Sequence, residues 1–594
     1  MRTGFPVRSV RIHPDNFPEW RESCGHFSAF ALVLAAAALV AGCVRAPVHG
    51  AVRTASEQPL ARLALPAEDA GSRASALLIA AEFALQHNDV ADAAADYARA
   101  ARLSNEPAVA GRAVQLALMA NDVDQARHLL DRWQALGAGP RELAAARAHL
   151  AMQQGDRAVA ERQFGILVAS GNGEDWKTFA ATLLAARDTA LAGQVLEDLA
   201  KPDRLPPDEK IWVALSQLGE HLGRHAFARE LADAAVHRFD GADGIAWAAS
   251  LHARMGDRAG AVALYAMGVA THPRSADLRL GYAVLLGHAG EYAKALAVLS
   301  RGPQTPATWS ARVAIAARAN DEGTLRRIYF LLQRQPEAQR LDNAFLIGQL
   351  AELLHHDREA LQWYGKVDPD SRHGFDARLR SVVLLDKTGQ SPQAHALAAR
   401  IQQDYTGDAD SLRTAFEVDA QLYARHGEHA RAIATYSRGL AALPGDPVLT
   451  YDRGIEEAGA GDTDAALADF RKVLAQDPGN VEAMNALGFT LADADRDLPE
   501  ATRLLRKALA AKPDTAAIMD SWGWLQYRLG NLVEAESYLQ RAWDRQRDPD
   551  IGVHLGEVLW KLGQHESARE LFARVRKLDP RNEALQGAER RLHP

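Results

Sequence analysis

Small and bulky apolar residues recur in the C-terminal part of the chain at intervals of 33 to 35 residues. The small positions are alanines: Ala432, Ala466, Ala501, Ala535 and Ala568. A bulky apolar residue stands four positions after each alanine: Tyr436, Phe470, Leu505, Leu539 and Phe572. Residues four apart share one face of an α-helix, so each pair marks the buried face of one helix. A glycine stands five positions before four of the alanines and predicts a turn ahead of the helix: Gly427, Gly461, Gly530 and Gly563.

A period near 34 with this order of small and bulky residues is typical of stacked helix–turn–helix units. The stretch 520–549, DSWGWLQYRLGNLVEAESYLQRAWDRQRDP, shows the order well and resembles the tetratricopeptide repeat. The resemblance implies an all-α fold, a right-handed tetratricopeptide-repeat superhelical solenoid whose first helices line a concave groove. About fifteen helical pairs fit between residues 74 and 583. We expect residues 582–592 to form a polar capping helix, because the last repeat has no neighbour to cover it.

The repeat phase is regular in some parts of the chain and weak in others. Glycine–alanine pairs keep the register further upstream, at Gly223/Ala228, Gly256/Ala261 and Gly290/Ala295. The phase is poorly kept over residues 174–206 and 307–410. We therefore predict a region of N-terminal and degenerate repeats at 74–410 and a region of regular repeats with the capping helix at 411–594.

The N-terminal segment has the pattern of an export signal. Residues 27–42, FSAFALVLAAAALVAG, form an apolar run of 16 residues behind several arginines. The run is shorter than the roughly 20 residues of a membrane-spanning helix and ends in small residues, as signal peptides do. The tetrad VAGC at 40–43 resembles a bacterial lipoprotein signal, in which the cysteine is acylated and becomes the mature N-terminus. We predict a signal peptide at 1–42, lipidation of Cys43, and a flexible tether over 43–73 that contains prolines and glycines.

An ordinary signal peptide cleaved nearby, with Cys43 incidental, is the alternative. Under the lipoprotein interpretation, several acyl chains would anchor the mature chain stably. Val44 follows the cysteine in place of aspartate. The resemblance then implies an outer-membrane lipoprotein that faces the periplasm.

Composition and charge narrow the classes of function. The net charge is −8, so the chain lacks the basic footprint of a nucleic-acid-binding protein. Both cysteines, Cys24 and Cys43, precede the repeats, which excludes disulfides and cysteine-ligated zinc within them. The motifs of zinc proteases, P-loops, α/β-hydrolases and dinucleotide-binding proteins do not occur. We therefore predict no catalytic residue, no cofactor, no metal site and no nucleic-acid partner.

Histidines cluster at two places, but neither spacing favours a metal. His355, His356 and Asp357 are consecutive, and adjacent side chains point to different sides of a helix, so we expect a solvated helix end. His426 and His429 lie at a predicted turn between two helices, where we expect both to be solvated.

The first helices of the last three repeats carry the candidate protein-binding groove. In this fold, first-helix positions two, five, nine, twelve and thirteen face the concave surface. Nine residues occupy such positions: Asn485, Phe489, Asp520, Trp524, Tyr527, Arg528, Glu557, Trp560 and Lys561. Four of the nine are aromatic, and exposed aromatic and arginine residues dominate peptide-binding surfaces. The alternative is that these aromatics pack against neighbouring helices; Trp522 and Trp543 fall on such packing positions and are expected in the core.

Three C-terminal segments resemble a more specific family. ALGFTLAD (486–493), DSWGWLQYRLGN (520–531) and HLGEVLW (554–560) are similar to segments of proteobacterial outer-membrane lipoproteins with many tetratricopeptide repeats. The resemblance is close over about 110 residues at the C-terminus. It implies a non-catalytic adaptor that binds and activates a periplasmic carboxyl-terminal processing protease. Peptidoglycan hydrolases would be the substrates that it presents for degradation.

Two other functions compete with the adaptor. A repeat scaffold for exopolysaccharide or pilus export at the outer membrane would have a similar sequence, and partners or neighbouring genes would distinguish it. An enzyme with a repeat domain would need a separate catalytic domain. After residue 74 no stretch longer than about 35 residues departs from the repeat phase, so we expect no enzyme.

Overall fold

The computed structural model describes residues 69–593, and all regular secondary structure in this part of the chain is α-helical. The predicted all-α class is therefore confirmed. Helical packing divides the described residues after Ala319 into an N-terminal unit and a C-terminal unit. No helix within these residues combines the length and the apolar character needed to span a bilayer. The signal peptide, Cys43 and most of the predicted tether lie outside the described residues.

The N-terminal unit contains fifteen helices. They are α1 (Ala70–Gln86), α2 (Val90–Leu103), α3 (Pro107–Met119), α4 (Val123–Ala135), α5 (Pro140–Gln154), α6 (Arg157–Val168), α7 (Gly173–Leu184), α8 (Thr189–Leu199), α9 (Glu209–His221), α10 (His225–Phe239), α11 (Ala242–Arg254), α12 (Arg258–Thr271), α13 (Ala276–His288), α14 (Tyr292–Ser300) and α15 (Pro306–Arg318). The first helix begins at Ala70, so the last four residues of the predicted tether are helical.

The C-terminal unit contains seventeen helices. They are α16 (Glu322–Gln333), α17 (Glu337–Asp342), α18 (Ala344–Leu353), α19 (Asp357–Tyr364), α20 (Gly374–Lys387), α21 (Ser391–Asp404), α22 (Ala409–Arg425), α23 (His429–Ala442), α24 (Pro447–Ala460), α25 (Thr463–Gln476), α26 (Val481–Asp493), α27 (Leu498–Ala511), α28 (Ala516–Arg528), α29 (Leu532–Arg545), α30 (Pro549–Lys561), α31 (His565–Leu578) and α32 (Glu583–Leu592). The last of them, α32, is the predicted capping helix.

Each unit is a stack of antiparallel helical hairpins. Seven hairpins run from α1 to α14 in the N-terminal unit, and seven run from α18 to α31 in the C-terminal unit. The described helices thus form fourteen hairpins, close to the predicted number of about fifteen pairs. Each hairpin packs on the next, so the apolar face that one hairpin cannot cover alone becomes part of a continuous core.

The periodic residues of the sequence form this core. All five repeating alanines and the bulky residues that follow them are buried. Where the first helix of a hairpin carries glycine, the second helix approaches its backbone closely. A Cβ atom at Gly523 would lie 2.7 Å from Cγ of Leu539. The small residue is therefore required by the contact between the two helices.

The turn inside nearly every hairpin contains a residue in the left-handed conformation. Thirteen of the fourteen hairpins have such a residue, and nine of these are glycines, including Gly530 with φ of 85°. Asparagine, aspartate or histidine replaces glycine in the other four: Asn88, Asn121, His355 and Asp495. Two residue types in this set, asparagine and aspartate, tolerate this conformation better than most. The loss of the glycine signal in those repeats therefore leaves the turn intact.

The segments with a weak phase fold as shortened or irregular hairpins. Residues 174–206 contain α7 and α8, and α8 packs on α6 as well as on α7. Within 307–410 the inserted helix α17 has 6 residues, and the next pair, α18 and α19, have 10 and 8. Around α17, α18 and α19 the sequence period fails because these helices are too short to repeat the full pattern.

Candidate protein-binding surface

The nine predicted groove residues lie on three successive first helices of the C-terminal unit. Asn485 and Phe489 are on α26, residues 520–528 of the set are on α28, and the remaining three are on α30. These helices pack in order, α26 on α28 and α28 on α30. The spacing of one repeat therefore brings the predicted residues to one wall.

Burial divides the nine residues into two layers. Four are buried: Phe489, Asp520, Trp524 and Glu557. Four are half-buried (Asn485, Tyr527, Arg528 and Trp560), and Lys561 is exposed. For Phe489 and Trp524, packing against neighbouring helices is the better description. The half-buried and exposed members of the set are accessible to a ligand.

His554 on α30 joins the buried layer into one cluster. Its Nδ1 lies 2.8 Å from Oδ1 of Asp520, and its ring stacks on Trp524 with centroids 4.3 Å apart. The ring of Phe489 lies 5.8 Å away. One imidazole on the last repeat thus contacts the two preceding repeats. We call His554, Asp520, Trp524 and Phe489 the inner cluster.

Charge stabilises the protonated form of His554. Burial alone would lower the pKa of His554, but attraction and a hydrogen bond from Asp520, with help from Asp550 and Glu557, raise it to about 9. Burial also raises the pKa of Asp550 to about 6, against a hydrogen bond from Asn582 that lowers it. At neutral pH the cluster therefore holds an imidazolium among carboxylates.

Two buried polar atoms of this wall have no hydrogen-bond partner in the described part of the chain. They are Nε2 of His554 and Oδ1 of Asn485. Asn485 occupies in its repeat the position that Asp520 occupies in the next one, as the spacing from Gly488 and Gly523 shows. Asp520 meets an imidazole, whereas no described group meets the Asn485 carboxamide oxygen, so the two equivalent positions differ in their pairing.

Polar contacts fix the ends of the wall. Nε1 of Trp524 donates a hydrogen bond of 3.1 Å to Asp493 on the preceding repeat. The guanidinium of Arg591 on α32 pairs with Glu557. The capping helix therefore neutralises a buried carboxylate of the wall in addition to covering the last apolar face.

A second set of residues lies at the C-terminal ends of α28 and α30 and in the first turns of α31. The Trp560 ring contacts His565 with centroids 4.2 Å apart, and the guanidinium carbon of Arg569 lies 5.4 Å from the ring centroid. Arg528 faces Asp495 at 3.4 Å. We call six residues the aromatic–basic rim: Tyr527, Arg528, Trp560, Lys561, His565 and Arg569.

The two tryptophans expected in the core lie there. Trp522 is buried and donates from Nε1 to Glu534 at 3.1 Å. Trp543 is buried beside Gly552, where a Cβ atom would lie 2.8 Å from its ring.

The second histidine cluster forms hydrogen bonds between helices, and the expectation that both of its histidines are solvated is wrong for His429, which is half-buried. His426 pairs with Asp386 at 2.8 Å, and His429 pairs with Glu456 at 2.8 Å. His355 is exposed at its turn. In residues 69–593 no group of three or more histidine, cysteine or acidic side chains is arranged to hold a metal ion.

Sequence reasoning missed His554, Asp550, His565, Arg569 and Arg591. His554 lies at a first-helix position that was not counted as facing the groove. A signal for it was present, because Asp520 and His554 are 34 residues apart, close to one repeat length. Pairing residues at that spacing would have found the contact. Arg569 and Arg591 lie outside the first helices and carry no such signal.

Comparison with known proteins supports the repeat fold. The family profile described as Tetratricopeptide repeat matches residues 252–320, 457–520 and 525–592. The TPR repeat-containing protein PA4667 of Pseudomonas aeruginosa is 34% identical over 213 residues, which are 36% of this chain and 35% of that protein. Human Tetratricopeptide repeat protein 7A is 35% identical over 96 residues, 16% of this chain and 11% of that protein. The chain thus spans about a third of the first relative's length and about a tenth of the second's.

Solved structures are similar at a lower level. The crystal structure of the APC/C hetero-tetramer Cut9-Hcn1 covers 88% of this chain and 97% of its own at 16% identity, with a TM-score of 0.30. The assignment of repeats therefore follows from the helical contacts and the family profile.

Proposed function

We propose that this chain, a stack of helical hairpins that the tetratricopeptide-repeat profile matches over three segments, is a non-catalytic scaffold that binds other proteins. Stacked hairpins present a long row of first helices, and side chains along such a row can contact an extended partner. The aromatic–basic rim offers half-buried aromatic rings next to cations, the composition that contributes most at protein interfaces.

In its specific form, the proposal is an adaptor at the outer membrane. The lipidated Cys43 would anchor the chain, with the repeats in the periplasm. The chain would bind and activate a carboxyl-terminal processing protease and present peptidoglycan hydrolases to it. One observation carries this step: the three segments similar to the lipoprotein family, 486–493, 520–531 and 554–560, begin on the successive first helices α26, α28 and α30, whose inner cluster joins them.

The mechanism needs no reacting group on this chain. A protease and a substrate held on one scaffold meet at an effective concentration on the order of millimolar, whatever their concentration in the compartment. If the scaffold binds the active arrangement of the protease more tightly, binding also shifts the protease toward that arrangement. The substrate is then cleaved faster without a new catalytic residue.

A pull-down from detergent-solubilised membranes tests the partners. The bait is the full chain with a C-terminal tag, and bound proteins are identified by mass spectrometry. We expect a carboxyl-terminal processing protease and cell-wall hydrolases. A second bait carries Trp560→Ala and tests whether the wall contacts the captured proteins. Trp560 is half-buried, and its loss leaves the inner cluster in place.

Turnover of the hydrolases tests the consequence. Deletion of the gene is expected to lengthen the half-lives of the hydrolases, measured after synthesis is stopped, and the full-length gene should restore them. Unchanged half-lives would contradict the adaptor. Cys43→Ser separates anchoring from binding: radiolabelled palmitate should mark the wild-type chain and leave this variant unlabelled.

The competing function is a scaffold for exopolysaccharide or pilus export. Its signature would be export or pilus-assembly proteins in the eluate, with no protease. That result would replace the adaptor and would leave the protein-binding scaffold in place.

A further inference from the structure

The first helix of the stack carries an apolar face that stays exposed among residues 69–593. On α1, Ile79 and Phe83 are 60% and 59% exposed, and Ala76 and Ala80 beside them are exposed as well. The four residues follow one another at helical spacing, so they form one stripe along the helix. The opposite side of α1, where Ala81 is buried, packs on α2. We call Ala76, Ile79, Ala80 and Phe83 the N-terminal stripe.

The other end of the stack has a polar outer face. The exposed side chains of the capping helix α32 are Glu583, Gln586, Arg590 and Arg591. A stack of repeats needs polar faces of this kind at its ends, because an apolar end favours association with another surface. The N-terminal stripe departs from this requirement with two bulky apolar side chains. We therefore expect another surface to cover it.

The charges of α1 favour a protein surface over a membrane. Arg73 and Glu82 are the charged residues of this helix. The Glu82 carboxylate accepts a hydrogen bond of 2.5 Å from the hydroxyl of Tyr97 on α2, so Glu82 is held by its own hairpin. A helix that lies on a membrane surface carries a polar face rich in lysine and arginine. The single arginine of α1 does not provide such a face.

The stripe is complementary to itself when two copies of α1 run antiparallel. A twofold axis between residues 79 and 80 would place Ala76 of each copy opposite Phe83 of the other. The two Ile79 side chains would meet next to the axis. A bulky ring would thus face a small residue at both ends of the contact, which lets the helices approach closely. Arg73 would lie at the level of Gln86 of the second copy, so no like charges would meet there.

We propose that the chain forms a homodimer through the N-terminal stripe, with the two α1 helices antiparallel about this axis. Each copy contributes two bulky side chains, and these are too few to bury the roughly 1,200–2,000 Å² of a stable interface. We therefore expect a weak dimer that concentrated protein populates. The inference concerns the end of the stack and does not depend on which partners the scaffold binds.

Cysteine cross-linking of the full chain tests the contact. Ala80→Cys places a thiol next to its counterpart across the axis, so oxidation of the concentrated protein with copper phenanthroline should give a disulfide-linked dimer. Gln86→Cys is the geometric control, because its two thiols would lie about 20 Å apart along the helices. The wild-type chain gives the background from Cys24 and Cys43. No dimer with Ala80→Cys above this background, or as much with Gln86→Cys, would overturn the proposal.

A mixture of two variants tests the register. In a dimer of Ala76→Cys alone, or of Phe83→Cys alone, the two thiols would lie about 10 Å apart along the helices, too far for a disulfide. In the mixture, the thiol of one variant would lie opposite that of the other. We expect a disulfide-linked dimer in the mixture and none in the separate variants. Equal cross-linking in all three samples would refute the antiparallel register.

Removal of the apolar surface is an independent test. In the Ala80→Cys background, Phe83→Glu should abolish the dimer, because the contact would bury an unpaired charge. The matched control is Met119→Glu at the end of α3, since Met119 is 61% exposed in the same unit. This control should leave the dimer unchanged, and both variants should melt at the temperature of their parent. Equal loss of the dimer in both variants would rule out a defined contact on α1.

Other occupants of the stripe give different results. If residues 44–68 of the same chain cover it, the thiol of Ala80→Cys would react slowly with a maleimide and no dimer would form. If a different protein covers it, cross-linking in cells would give a band whose mass is not twice that of the chain. Either result overturns the homodimer. A wild-type bait that captures no protein in the pull-down would refute the scaffold and would leave the dimer in place.

Discussion

His554 on α30 donates from Nδ1 to Asp520 on α28 across 2.8 Å, and both side chains are buried. The bond connects two successive repeats through their first helices. Buried charges of this kind are costly to remove singly, because the remaining partner keeps its charge in a poorly solvated position.

Asp520→Ala is therefore expected to destabilise the C-terminal repeats by about 3–5 kcal/mol, the usual cost of removing one partner of a buried ion pair. Hydrogen exchange of the amides in α28 and α30 measures the loss locally. The matched control is Asp544→Ala on α29, whose pair with Arg547 lies on the surface; its effect should stay within about 0.5 kcal/mol. Similar effects in both variants would refute a special role for the buried pair.

Alkaline pH should weaken the same repeats. The pKa of His554 is raised to about 9 in the folded chain, from an ordinary value of 6.5. The folded form then binds the proton more tightly, so this stabilisation is complete below pH 6.5 and is lost as pH rises through 9. The change is on the order of 3 kcal/mol. Urea unfolding of the wild type and of His554→Gln between pH 6 and 10 checks it, since the variant should have the flatter profile.

Asp550 acts in the same direction at lower pH. Burial raises the pKa of Asp550 to about 6, so the folded chain again holds its proton more tightly than the unfolded chain. Its contribution falls as pH rises from about 4 to 6. Asp550→Asn should remove that part of the pH dependence and reduce, without abolishing, the alkaline part, because Asp550 also helps to raise the pKa of His554. Urea unfolding between pH 4 and 10 measures both parts.

The effect of a glycine-to-alanine substitution on stability should depend on where the glycine lies in the hairpin. Gly523→Ala places a Cβ atom 2.7 Å from Leu539 and should cost about 1–3 kcal/mol through overpacking. Gly165 lies inside α6 with nothing within 4 Å of such an atom. Gly165→Ala should stabilise the N-terminal unit by about 0.5–1 kcal/mol, because alanine has the higher helix propensity. Thermal unfolding followed by circular dichroism measures both changes: the melting temperature should fall for Gly523→Ala and rise for Gly165→Ala.

His355→Gly should stabilise the C-terminal unit. His355 is exposed and has φ of 59°, a conformation that strains residues with a Cβ atom by about 1–2 kcal/mol. Part of the gain is offset by the greater freedom of glycine in the unfolded chain, so we expect about 1 kcal/mol. His356→Gly is the control, since His356 has φ of −90°. A higher melting temperature for the control would contradict the assignment of strain.

The sequence was sufficient for the hairpins and insufficient for the wall. Alanine and bulky residues four apart, and glycine five residues earlier, are local patterns that each helix shows by itself. These patterns do not predict the turn at His355, because the backbone there accepts a histidine in place of glycine at some cost in strain. The patterns also fail to predict the inner cluster, because its members come from three repeats. The contact between Phe489 and His554 depends on the spacing between repeats and not on the pattern within one repeat.

The aromatic residues show the same limit. Phe489 and Trp524 occupy positions that face the groove in this fold, but in this chain the neighbouring first helix covers both. Side-chain size in the next repeat, and not position alone, decides whether a groove aromatic is accessible. Here the side chain of His554 is large enough to cover both rings. The sequence alone does not predict this contact.

The ion pair between Arg591 and Glu557 makes the end of the chain part of the wall. Loss of α32 would leave Glu557 with an uncompensated charge behind Tyr527 and the rim. The surface that faces a ligand would then become more negative, although the missing residues lie on another helix. Removal of the C-terminal residues would therefore change the charge of the wall at the same time as it uncovers the last repeat.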